Sequence, residues 1–118
     1  MRLIWLFAAG YAAALGIAVQ DLTAQDSAKE AWRLELRGNG AEARAQLRRA
    51  AESAPNDPLA LEAYAEFLGH HRDPAARSTY EKLRQLLSRN GASIGERAKV
   101  ARRLTELDLI AGDRLSAE

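Results

Sequence analysis

Cysteine is absent from this 118-residue chain, which excludes disulfides, thiolate metal sites and a cysteine nucleophile together. Two His leave too few imidazoles for an ordinary zinc site, so neither a metal nor a cofactor is expected. There are only three Pro and seven aromatics. No charge of one sign dominates either: 17 Lys+Arg stand against 16 Asp+Glu, a net +1 spread along the chain. A field that weak does not steer a polyanion, so nucleic acid is not expected as a partner. What fills the chain is 25 Ala and 17 Leu, residues that favour helix, in a length that holds one small domain at most.

Long apolar stretches are also missing, with one exception. Met1-Arg2 is followed by seventeen uncharged, mostly apolar residues, Leu3 to Val19, and polarity begins at Gln20-Asp21. A positive start, an apolar middle and small residues at its end read as an export signal in 1–24, cleaved near Ala18 or Ala24. Retained, the same segment is a membrane anchor at the lower limit of a spanning helix. Eight of its seventeen residues are Ala or Gly, which weakens that drive and favours cleavage. The protein is therefore expected outside the cytoplasm, periplasmic or extracellular, or membrane-anchored if the leader stays.

Beyond the leader the chain repeats itself. A shift of 33 residues lays Ala28, Ala31, Trp32 and Leu34 on Leu61, Tyr64, Ala65 and Phe67. It also lays Ala43, Leu47, Ala50 and Ala54 on Ala76, Tyr80, Leu83 and Leu87. The second set runs i, i+4, i+7, i+11, one stripe down a helix, so each unit reads as two helices. The breaks carry matching chemistry. Gly38-Asn39-Gly40 is a turn, where Gly permits positive φ and Asn can close onto its own backbone. Asp57-Pro58 places an N-cap before a first-turn Pro, and Asp73-Pro74 repeats the device. Asn90-Gly91 stops a helix, and Ser93 with Glu96 makes a capping box. Helices are expected at about 26–37, 41–54, 58–70, 74–89 and 94–111. Gly112-Asp113 reads as a turn, with Leu115 to Glu118 opening a partner helix.

These residues resemble the tetratricopeptide repeat family. Its second helix carries a small residue, a large apolar residue four later and a Pro twelve after the first; Ala43, Leu47 and Pro55 match in order, and Ala76 and Tyr80 match two. Ala31 stands where a small residue lets paired helices approach, with Ala65 its counterpart one position late. An ankyrin array shares the 33-residue period, but the helices here are too long for one. The resemblance implies an all-α fold, antiparallel helix pairs stacked as a short α-solenoid over residues 25–118, behind the leader. The units are about 26–57, 58–91 and an incomplete 92–118, which suggests the N-terminal part of a longer repeat protein.

No residue set reads as catalytic, and the chain is not expected to be an enzyme. His70 and His71 point about 100° apart on a helix and suit its C-terminal dipole better than a metal with Glu66. Glu62 and Glu66, one turn apart, read as a helix edge. Arg48-Arg49 and Arg102-Arg103 are candidate phosphate contacts, but Glu52 and Glu106 stand one turn on and place them on charged outer faces. Trp32 is either a core knob or an exposed anchor for a partner; few other bulky residues exist to fill the interior, which favours the core. In arrays of the resembled family the first helices line a concave face that holds peptides or proteins, which implies contacts at Trp32, Glu35, Glu62, Glu66 and His70. The expected function is an exported, non-enzymatic protein-interaction scaffold in the cell envelope. The alternatives are the N-terminal scaffold of a longer enzyme and a membrane-tethered assembly factor.

Overall fold

In a computed structural model of the chain, the described residues are 25–117, with side chains described through residue 112. The expected leader at 1–24 and its cleavage points lie outside them. Every regular element among the described residues is an α-helix. We number them α1, helical over 25–36, α2 (Gly40–Ser53), α3 (Pro58–His70), α4 (Ala75–Arg89) and α5 (Ile94–Ala117). None is long and apolar enough to cross a membrane.

All three Pro fall between helices or at a first turn. Asp57 caps α3, its carboxylate accepting from the Leu59 N–H at 3.0 Å, with Pro58 at the first helical position, where no donor is lost. Asp73 does the same for α4, accepting from the Ala75 N–H at 2.9 Å. Ser93 Oγ accepts from the Glu96 N–H at 3.2 Å and opens α5.

The C-termini of α1, α3 and α4 share one device. In α3, the Arg72 N–H donates to Gly69 O at 3.2 Å and the Asp73 N–H to Leu68 O at 2.9 Å, closing the helix with a left-handed residue. The same pair of bonds recurs at Gly38 and Asn39 after α1 and at Gly91 and Ala92 after α4. Gly38 and Gly91 have φ of 82° and 66°, conformations that cost Gly little. Arg72 takes the equivalent position at φ 54° without that freedom.

These turns leave connections of three or four residues, so each helix folds back on its predecessor. α2 packs on α3, α3 on α4 and α4 on α5. Two buried clusters result. The first joins Ala31 of α1 to Ala43 and Leu47 of α2, with Ala63, Tyr64 and Phe67 of α3 against it. The second joins Ala51, Leu61, Ala65, Tyr80, Leu83, Leu86, Leu87, Val100 and Leu104, spanning α2 to α5. The small residues sit at the closest approaches: Ala31, Ala43, Ala65 and Ala76 are all 1% exposed or less. A larger side chain at any of these would force the helices apart.

Two expectations fail. Trp32 is 59% exposed, so it is no core knob. Its neighbour Ala31 takes the inward position, 1% exposed and clustered with Ala43 and Leu47. Gly112-Asp113 is not a turn either, because α5 runs through both to Ala117. A single helical Gly costs only about 1 kcal/mol relative to Ala, and no Pro follows to enforce a stop.

Candidate functional site

The odd-numbered helices α1, α3 and α5 form the walls of a groove of about 460 Å³. Ala28, Ala31, Trp32 and Glu35 come from α1, Ala63, Glu66, Phe67, Gly69 and His70 from α3, and Arg103, Glu106, Leu107 and Ile110 from α5. Leu47 of α2 and Tyr80 of α4 close its floor. Residues three and four apart on each wall helix share a face, which is why single helices contribute four or five side chains each.

Four of the five residues expected at a partner surface line this groove: Trp32, Glu35, Glu66 and His70. The Trp32 and His70 rings stand 6.1 Å apart, tilted by 57°. Glu35, only 18% exposed at its side chain, bonds to the imidazole of His71, which ties α1 to the end of α3. His71 also packs on the Phe67 ring at 4.4 Å. Glu62 is absent from the lining; its carboxylate accepts from Lys99 Nζ at 2.7 Å. Lys99 reaches Glu66 as well, at 3.6 Å, linking α3 to α5. The hydrogen bond that Lys99 donates to Glu62, followed by the charge of that carboxylate, raises the Lys99 pKa above the ordinary ammonium value.

Tyr80 is the residue that sequence reasoning treated as packing alone. It is 4% exposed, yet it reaches the groove. Burial pushes its phenol pKa up, the charge of Glu66 adds to that and Arg103 opposes it. Across the groove Arg103 donates to Glu106 at 3.1 Å, and that bond raises the Arg103 pKa first, ahead of Tyr80. The expected Arg102 to Glu106 pair is therefore replaced: Glu106 takes the cation three residues back, on the groove side of α5. The spacing Arg103, Glu106, Leu107, Ile110 could have revealed this wall, since it is an i, i+3, i+4, i+7 face.

The remaining charged candidates are engaged elsewhere. Arg48 donates to Glu52 at 2.9 Å and Arg49 to Glu42 at 3.4 Å, both on exposed surface. Among the described residues no three His, Cys, Asp or Glu side chains gather as a metal site.

No protein-family model matches the chain, and neither a curated protein nor a solved structure shows significant similarity to it.

Proposed function

We propose that residues 25–118 are a tetratricopeptide-like stack of helix hairpins whose groove holds a peptide or an extended segment of a partner protein. The observation that carries this reading is Trp32: a large aromatic, 59% exposed, on the wall of a groove that Ala63, Phe67, Leu107 and Ile110 also line. Exposed aromatics beside an apolar cleft are the residues from which binding surfaces draw most of their energy. The alternation supports the stacking. Ala31 and Ala65, 34 apart, and Ala43 and Ala76, 33 apart, are buried at matching helix contacts. The apolar leader supports export and a role in assembling envelope proteins, without enzymatic activity.

The test is recovery of partners from envelope fractions with the full chain, beside the double variant Trp32→Ala, Glu66→Lys and the control Arg49→Ala, which lies outside the groove. A partner retained by the control and lost by the double variant supports the groove. A partner retained equally by all three, or none at all, overturns it. N-terminal sequencing of exported protein checks the leader: a start near Val19 or Gln25 supports cleavage, and a start at Met1 overturns it in favour of a tether.

A further inference from the structure

The carboxylates around the groove are unequally satisfied. Glu35 is bonded to His71, Glu62 to Lys99 at 2.7 Å and Glu106 to Arg103 at 3.1 Å. Glu66 has among the described residues only Lys99 at 3.6 Å, a cation already held closer by Glu62, and its side chain is 49% exposed. A second polar group reaches the same groove. Tyr80 is 4% exposed and lines the cavity, and its hydroxyl is bonded to no protein group among the described residues and is not sealed from solvent. Gly69 lies beside that hydroxyl: a Cβ there would meet the Tyr80 ring and oxygen at 3.5 and 3.6 Å, ordinary contact distances. One turn after Glu66, His70 leads to the exposed indole of Trp32.

These groups call for a cation. A carboxylate that shares its paired cation with Glu62, a phenol oxygen that reaches the groove and an open indole face all attract an ammonium or guanidinium. An anionic ligand finds the reverse, since Arg103 is committed to Glu106. Resting on the groove reading above, we propose that the partner segment is anchored by a Lys or Arg side chain, whose charge sits at Glu66 over the Tyr80 hydroxyl with its alkyl stem along Trp32. The neighbouring apolar surface of Phe67, Leu107 and Ile110 takes the flanking residues of that segment.

The probes are three synthetic peptides of one sequence, Leu and Ser around a central Arg, citrulline or Glu. Binding is read from Trp32 emission in the full chain carrying Trp5→Phe, which leaves a single indole. The Arg peptide is expected to bind about tenfold tighter than the citrulline peptide, with the Glu peptide weakest, and to weaken as salt rises. Glu66→Gln should remove most of the preference for Arg over citrulline, and Tyr80→Phe should weaken the Arg peptide by about fivefold. Thermal melts confirm that both variants stay folded. Equal binding of all three peptides, or a preference that survives Glu66→Gln, overturns the cationic anchor and leaves the groove standing. Failure of every peptide to bind overturns the anchor and counts against the groove with it.

Discussion

Arg72 stands 34 residues after Gly38 and occupies the same place in its helix end, left-handed, with the following N–H reaching back to the helix. A residue with a Cβ pays about 1 kcal/mol or more for that conformation, and Gly does not. Arg72 is exposed and makes no ion pair among the described residues. Arg72→Gly should therefore stabilise the protein by about 0.5–1 kcal/mol, raising the melting temperature by a few degrees, while Gly38→Ala should lower it by a similar amount. A melting temperature that falls in Arg72→Gly would mean that the guanidinium has a stabilising contact worth more than the backbone strain.

Asp73 serves two elements. One oxygen caps α4 through the Ala75 N–H at 2.9 Å, and the other accepts from Arg44 Nε of α2 at 3.1 Å. The backbone bond, then Arg44, hold its pKa below the ordinary carboxylate value, with burial opposing. Because the folded value is the lower one, the stabilisation is complete above about pH 4 and is lost as pH falls through the folded pKa. Asp73→Asn, which keeps an acceptor for the Ala75 N–H and loses the charge, should cost under about 1 kcal/mol at pH 7 and flatten the loss of stability below pH 4. Since the largest cause is a backbone hydrogen bond, 0.5 M NaCl should leave most of the effect in place. Denaturant titrations across pH 2 to 7 check both; an acid limb unchanged in Asp73→Asn would remove Asp73 as its source.

Much of this was legible in the sequence, for local reasons. Asp57-Pro58, Asp73-Pro74, Ser93 with Glu96 and Asn90-Gly91 act within one turn of themselves, so their chemistry is readable without the fold. Misreadings arose where the outcome depends on a neighbour. Trp32 and Ala31 are adjacent, and which one turns inward depends on the face that meets Ala43 and Leu47, where Ala31 is the one that packs. Gly112 was read by type, while its helix continues because nothing interrupts the ladder. Trp32, Glu35, Glu66 and His70 of α1 and α3 line the groove, and the spacing of Arg103, Glu106, Leu107 and Ile110 marks one face of α5 without saying that α3 stands opposite it.

The two buried clusters meet at Tyr64, a half-buried side chain packed against both. Ala51 carries α2 into the second cluster as well, but only by a methyl group. Tyr64→Ala should therefore cost about 2 kcal/mol and, beyond that, loosen the coupling between the hairpin of α1 and α2 and the rest. Hydrogen exchange is expected to show amides of residues 25–53 opening at lower free energy than those of α4 in the variant. A uniform loss across all helices would show that the clusters unfold as one unit without Tyr64.

The exposure of Trp32 separates its two readings by a measurable margin. A Trp filling a core costs about 3–5 kcal/mol when cut to Ala, because a cavity is left behind. At 59% exposure, with His70 as its ring neighbour at 6.1 Å, the loss should stay under about 1 kcal/mol. Ala31→Leu, one residue earlier and 1% exposed, should instead cost about 1–3 kcal/mol by wedging α1 from α2. Chemical denaturation of both variants gives the comparison directly. A Trp32→Ala variant that unfolds as readily as Ala31→Leu would put the indole inside the protein and leave the groove without its aromatic wall, whereas a stable Trp32→Ala chain leaves the indole free for a partner.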